Sequence, residues 1–282
     1  MLLIFSLLIM LFFLMFMGVP IAIALGISTT LNLIFFTDMD LFFIGQNIYG
    51  ALDNYALLSI PFFILASNIM AEAGIARRLL AFAEALTAGV TGGLGMAGVL
   101  ACAIFAAISG SSVATVVSIG TIVIPGMIKE GYDKKFATAL ISCSGSLGIL
   151  IPPSILMIIF GVLADVSIGK LFAAGMLPGV ILTIMLMAYV YVISKKRNYP
   201  KSPSLPFNTR MKQIAQNSSS LMIPVMILGG IYGGVVTPTE AATLAIFLGL
   251  VMGFCVYKEL KIKDLPRIFV QSAEMASMIL II

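Results

Sequence analysis

The 282-residue chain has no histidine, no tryptophan, only three cysteines and only 10% charged residues. Each shortage excludes something. Without histidine, the commonest metal ligand and the commonest proton shuttle near neutral pH are missing. Cys102, Cys143 and Cys255 all lie inside apolar runs, so they read as small buried hydrophobes rather than a disulfide framework. A soluble domain carries about 25% charged residues, so this chain has too little polar surface to cover a globule in water. The absence of tryptophan decides nothing, because tyrosine and phenylalanine can supply an interfacial belt. No paired intramembrane carboxylates, no nucleophile–base pair and no nucleotide-binding glycine motif occur, so neither an enzyme nor an ATP-driven motor is legible.

What is abundant is apolar sequence: 61% of residues are hydrophobic, and the mean hydropathy is +1.15. A bilayer core about 30 Å thick needs roughly 20 helical residues to cross. The opening run from Met1 to Phe36 exceeds one span and is interrupted at Gly18-Val19-Pro20, which predicts two helices over 2–17 and 20–36. It has no basic leading region and no small-residue cleavage site, which argues against a signal peptide. Asp40 to Asp53 fits a short interfacial helix, Leu57 to Ala73 a spanning helix, and 75–88 a second amphipathic piece studded by Arg77, Arg78 and Glu84.

Residues 92–128 are glycine-rich and apolar, with Ser109-Gly110-Ser111-Ser112 at the middle. Each limb, read as about 15 residues or about 22 Å of helix, falls short of a crossing. A re-entrant hairpin with its tip at Ser109–Ser112 is therefore predicted. In 134–163 two apolar halves flank Ser144 to Ser154, which includes Pro152 and Pro153. Proline removes a donor and clashes with the preceding turn, so an unwound middle is predicted. A span at 170–194 follows, then a basic stretch, 195–217, whose Pro200, Pro203 and Pro206 predict a loop or linker. Further helices are predicted at 219–236 and 239–257, an amphipathic basic arm at 258–267, and an apolar helix from Ile268. The text stops inside that helix, which suggests a piece of a longer subunit.

Charge supports this layout. With the N-terminus outside and 92–128 re-entrant, 15 of the 16 Lys and Arg residues fall on one face, leaving only Lys170 opposite. The same layout contains an inverted repeat. A helix, a proline turn and a second helix open the chain, and the order recurs around Gly234-Val235-Val236-Thr237-Pro238-Thr239-Glu240-Ala241 after an odd number of crossings. Inverted repeats with broken helices meeting at the midplane are a secondary-transporter architecture. The fold class is thus an all-α polytopic membrane protein, an inverted-repeat transporter with a re-entrant hairpin and broken helices.

The two serine–glycine breaks are the candidate site. Hydroxyls and freed carbonyls are hard oxygen ligands suited to sodium, and the half-helix starting near Ser112 favours a carboxylate at its N-terminal end. Close packing of small residues is the competing explanation for Ser and Gly in membranes. Two clusters, each central in an apolar segment and one followed by Pro-Pro, favour binding. Asp165 reads as a solvated cap, Glu240 as a carboxylate placed on a helix dipole, and Glu274 as either structural or functional. Lys195 to Arg197 read as a topogenic anchor, and Lys258, Lys261, Lys263 and Arg267 as an arm on anionic lipid.

The Gly-Val-Pro turn, the Ser109–Ser112 tip, Ser144 to Ser154, and Val236-Thr237-Pro238-Thr239-Glu240-Ala241-Ala242 together resemble the large membrane subunit of tripartite ATP-independent periplasmic (TRAP) transporters. The resemblance covers the whole chain. It implies an elevator mechanism, sodium coupling, a small four-helix membrane partner, and a periplasmic binding protein delivering a sialic acid or a C4-dicarboxylate. No cofactor beyond sodium ions is implied, and membrane lipid rather than nucleic acid is the surrounding partner. Carried onto this sequence, sodium would be held by Ser109, Gly110, Ser112, Ser144, Gly145, Ser146, Gly148 and Ile151. The substrate carboxylate would meet Ser111, Ser112, Pro152 and Pro153. Scaffold helices and arms would occupy 1–91, the transport hairpin and broken helix 92–169, a span and basic linker 170–217, and the start of a second repeat 218–282. The family's subunit is longer by roughly a second hairpin and broken helix, which would hold a second ion site. A stand-alone sodium–dicarboxylate symporter and a non-transporting anchor subunit are the alternative readings.

Overall fold

The computed structural model describes every residue except Met1, Asp38, Met39, Leu41, Leu205 and Ile282. The ends of the chain and the Leu41 position of the interfacial-helix reading therefore lie outside the described residues. In chain order the helices are α1 (Leu2–Phe16), α2 (Ile21–Phe36), α3 (Phe42–Leu52), α4 (Ser59–Glu72), α5 (Ile75–Thr87), α6 (Gly93–Ser109), α7 (Ser112–Lys129), α8 (Lys134–Gly145), α9 (Leu147–Leu150), α10 (Ile155–Leu163), α11 (Ile168–Lys196), α12 (Phe207–Asn217), α13 (Met222–Tyr232), α14 (Pro238–Val251) and α15 (Leu265–Leu280). Among the described residues the only extended pairing is an isolated bridge between Thr91 and Lys201. Six helical stretches are long and apolar enough to cross a membrane: 55–72, 112–129, 134–163, 168–196, 207–232 and 238–256.

The chain forms two units, one holding residues up to Tyr55 together with Glu274 onward, the other Ala56–Ala273. In the first, α1 and α2 form a helical hairpin. Its turn needs a left-handed residue, supplied by Gly18 at φ +81°, and Pro20 then pre-sets the backbone entering α2. Ala24, Ser28 and Asn32 recur every four residues and are all buried, the small-and-polar stripe that lets membrane helices approach closely. The Ser6 hydroxyl donates to the Asn32 side-chain oxygen, and Asn32 Nδ2 donates to the Ser28 carbonyl at 2.8 Å.

In the second unit α6 is the central element, buried along most of its length. Its Gly and Ala content explains why: Gly95 lies against Val190 of α11 and Leu140 of α8, and Gly98 against Val123 of α7. At 17 and 18 residues, α6 and α7 are each about 26 Å long, longer than the limbs expected from sequence. Length alone therefore does not separate a re-entrant limb from a crossing. Gly92, at the hairpin base, meets Ser194 of α11, whereas Ile151, beside the tip, meets Gly179; Gly161 meets Leu171. Along α11, the tip thus stops about 16 Å short of the Ile168 end.

Several sequence expectations change here. The stretch 195–217 is only half a loop: Phe207–Asn217 is helix, held by Arg210, whose Nε donates to the Ala85 carbonyl at 2.7 Å and Nη2 to Leu86 at 2.6 Å. Polar composition hid an amphipathic helix whose guanidinium satisfies the open carbonyls at the end of α5. The basic arm at 258–267 is not a continuous helix. Lys258 has φ +56°, only Ile262–Asp264 makes a turn, and α15 begins at Leu265. Cys102 is buried as expected, but Cys143 and Cys255 are exposed. Ser167 rather than Asp165 caps α11.

The irregular segment after α14 is pinned by Arg78. Its Nη2 lies 2.7 Å from Glu259 Oε1, and its guanidinium sits 3.6 Å above the Tyr257 ring. The Tyr257 hydroxyl lies 3.0 Å from Ser219 Oγ and 3.2 Å from Ser220 Oγ. Gly74 leaves room for this, since a Cβ there would overlap the Glu259 carboxylate. Arg78→Ala removes a stacked cation and leaves Glu259 only the longer 3.8 Å pair with Arg77, so a loss of about 1–2 kcal/mol is expected. Thermal denaturation in detergent checks it. Arg78→Lys should recover only part of the loss, because an ammonium cannot stack and pair as a planar fork.

Candidate functional site

The two breaks predicted from sequence meet. Gly110 takes φ +61° and ends α6, Ser111 is extended, and its hydroxyl accepts from Ala114 N at 3.4 Å to cap α7. The Gly110 carbonyl accepts the Ile155 N–H at 3.2 Å, and a Cβ on Gly110 would lie 2.7 Å from the Pro153 carbonyl oxygen. One turn earlier, a Cβ on Gly148 would lie 2.7 Å from the Ser111 carbonyl carbon and oxygen and 2.8 Å from Ser112 N. Gly145 faces the Ser112 carbonyl. The hairpin tip therefore lies backbone-to-backbone on the interruption between α8 and α10, an approach only glycine permits.

The interruption is built as the prolines dictate. Pro152 and Pro153 cannot donate to the carbonyls of Gly148 and Ile149, which lose their helical partners. Ser154 is extended, and its hydroxyl accepts from Met157 N at 3.5 Å to restart α10. Residues 151–154 and Gly148 are buried, whereas Ile149 is exposed. On the side of α11, glycines again admit the break: Cβ atoms at Gly175 and Gly179 would meet the Leu150 carbonyl and the Ile151 side chain, respectively.

The hydroxyls divide by partner. Ser109 is buried, with its oxygen 2.9 Å from Thr115 Oγ1 and 3.3 Å from the Ser111 carbonyl. Ser144 donates to Leu140 O at 2.8 Å and Ser146 to Cys143 O at 2.7 Å, each within its own turn. Their lone pairs remain available, but Ser146 is exposed whereas Ser144 is buried. Ser112 Oγ is buried and has no hydrogen-bond partner. A buried hydroxyl without a partner is costly, and this one opens α7 at the tip. Sequence reasoning missed Thr115, fully buried, whose hydroxyl donates to the Ser111 carbonyl at 2.8 Å. It sits one helical turn after Ser111, and that spacing could have revealed it. The donor set is carbonyl and hydroxyl oxygen around a helix N-terminus, chemistry suited to a hard cation or a carboxylate rather than to a transition metal that prefers nitrogen or sulfur.

A separate cavity of about 500 Å³ lies between α5, α6 and α7, lined by Leu80, Glu84, Leu94, Ile122, Val123, Gly126, Lys129 and Glu130. Partial desolvation in this cavity, and then repulsion from Glu130, raises the Glu84 carboxyl above its usual range, and desolvation raises Glu130. Both side chains keep exposed surface, so the effect on stability is small. A raised native pKa means that the folded state holds the proton more tightly. Stability from these groups is therefore present at low pH and is lost as pH rises from about 4.5 through the raised values. Glu84→Gln is expected to raise the melting temperature modestly at pH 7 and to flatten its fall between pH 4 and 6. Melting curves across pH test this, and an unchanged slope would refute it.

Apolar spans and a hairpin resting on an interrupted helix define the class: a multi-pass, all-α membrane protein organised around a small polar site. The sequence model of the family described as tripartite ATP-independent periplasmic transporter, DctM component, matches residues 8–282, and the chain belongs to this family. It is 45% identical over 247 residues to the C4-dicarboxylate TRAP transporter large permease protein DctM of Vibrio cholerae, covering 87% of this chain and 54% of that protein. It is 40% identical over 266 residues to the isethionate TRAP transporter permease protein DctMQ of Oleidesulfovibrio alaskensis, covering 94% and 42%. Against the sialic acid TRAP transporter large permease protein SiaM of Vibrio cholerae, identity is 35% over 266 residues, covering 94% and 62%. The chain thus spans about half the length of the curated relatives it matches.

Proposed function

We propose that this chain supplies the first ion- and substrate-binding half of a sodium-coupled TRAP permease of the bacterial inner membrane, with its N-terminus periplasmic. The observation that carries the reading is the seating of the Ser109–Ser112 tip on the 148–155 interruption, with the Ser112 hydroxyl buried and unpartnered beside it. Sodium is assigned to the oxygens of Ser109, Gly110, Ser112, Ser144, Gly145, Ser146, Gly148 and Ile151. The substrate carboxylate is assigned to the N-terminus of α7 at Ser111 and Ser112, beside Pro152 and Pro153. The hairpin stopping short of the end of α11 supports a re-entrant rather than a crossing segment, and the one-sided distribution of Lys and Arg supports the orientation.

In this reading 92–169 moves as a transport domain against scaffold helices and arms in 1–91, by an elevator motion. The stretch 218–282 opens the second, inverted repeat. A C4-dicarboxylate is the first candidate, because one relative named for it reaches 45% identity, whereas relatives named for isethionate and sialic acid reach 40% and 38%. A small membrane subunit is a partner, in keeping with the DctMQ name of one relative, and a periplasmic binding protein delivers the substrate. The test is uptake of labelled succinate, against sialic acid, into liposomes holding the complete permease and its small partner. Uptake requiring both an inward sodium gradient and the cognate binding protein is expected. Uptake indifferent to the binding protein would identify a stand-alone symporter, and uptake indifferent to sodium would remove the ion role of both serine clusters.

A further inference from the structure

We infer that the C-terminal end of α11 and the start of α8 form a binding site for the headgroup of an anionic phospholipid. The base of the site is a ring cluster. Tyr132 and Tyr199 have centroids 4.5 Å apart, Phe136 and Tyr199 5.5 Å, and Phe136 and Tyr189 6.5 Å. Arg197 is fixed over this cluster: its guanidinium lies 5.7 Å from the Phe136 centroid, and Nη1 donates to the Tyr199 hydroxyl at 3.3 Å. Lys134 and Lys135 open α8 just before Phe136, and Lys195 and Lys196 close α11 just before Arg197, all exposed. Among the described residues, ion pairs involve only Arg77, Arg78 and Arg267, so none of these five cations is neutralised by one.

One feature distinguishes this from an ordinary solvated face. Asp133 caps α8 by accepting the Phe136 N–H at 2.9 Å, so its carboxylate is engaged at the helix end. A guanidinium held by an aromatic face and a phenol is already oriented, so little side-chain entropy is lost when it pairs with a phosphate. The surface below selects a lipid over a soluble anion. One to four turns from Arg197, α11 exposes Ile184, Met185, Tyr189 and Val192, an apolar surface next to the charged layer. A phospholipid matches that sequence of surfaces, with phosphate at Arg197 and Lys134 and a chain along α11.

The site is tested by thermal melting of the detergent-purified chain titrated with short-chain phosphatidylglycerol, phosphatidylcholine, or glycerol phosphate. Phosphatidylglycerol is expected to raise the melting temperature by several degrees, with little effect of the other two. Arg197→Gln and the Lys134→Gln/Lys135→Gln double variant should weaken the apparent affinity by about tenfold. The Lys170→Gln variant, which removes an exposed charge at the other end of α11, should leave it unchanged. Equal stabilisation by phosphatidylcholine, or an undiminished response in both site variants, would overturn the proposal. Equal stabilisation by glycerol phosphate would make it a soluble-anion site and overturn the lipid assignment. Should Arg197→Gln fail to fold, the lysine variant alone decides, because its side chains are exposed and take no part in the ring cluster.

Discussion

Replacing Gly148 by alanine is expected to remove most sodium-driven uptake without lowering the amount of permease in the membrane. The added Cβ would lie 2.7–2.8 Å from backbone atoms of Ser111 and Ser112. Backbone cannot rotate aside as a flexible side-chain end can, so the hairpin tip must retreat. Displacing a binding geometry by about 1 Å costs on the order of a hundredfold in rate, and overpacking costs about 1–3 kcal/mol in stability. Gly229→Ala, in α13, is the matched control, because nothing lies within 4 Å of its added Cβ. Uptake into liposomes, normalised to reconstituted protein, separates the two. Wild-type transport by Gly148→Ala would mean that the contact between tip and break has no part in transport.

Ser112→Ala has a different signature. A site hydroxyl contributes about 1–3 kcal/mol, so apparent sodium affinity should fall by about tenfold or more. Folding stability should hold or rise slightly, because the buried Ser112 oxygen has no protein partner to lose. A purely structural serine would behave oppositely, lowering stability while leaving sodium dependence intact. Measuring both the sodium dependence of uptake and the melting temperature on one preparation therefore decides its role. The same pair of measurements on Ser146→Ala bears on the wider ligand set, since Ser146 is exposed and already donates to Cys143.

Much of this was legible in the residues because membrane proteins obey blunt rules. Hydrocarbon tolerates few charges and no unsatisfied backbone, so the spans, the interruption at Pro152 and Pro153, and the tip at Ser109–Ser112 stand out in the text. The segments that misled were those where composition is ambiguous. Residues 207–217 are polar and follow three prolines, yet they fold because Arg210 reaches carbonyls on α5. The apolar run starts the last helix near Ile268, yet α15 begins at Leu265, because the backbone is irregular only up to the Ile262–Asp264 turn. Cys143 lies in an apolar run, but on an exposed face of α8.

Within the candidate site the division is sharper. Residue type and local spacing determine which groups can serve as oxygen donors and where a helix must break, because proline and glycine act on their own backbone. Partnership between segments nearly 40 residues apart is another matter. Only the tertiary structure places Gly148 under Ser111 and leaves the Ser112 hydroxyl without a partner at the tip. Hydrogen-bond satisfaction depends on distances of a few tenths of an ångström between side chains, and no pattern along a single chain encodes those until the helices have packed.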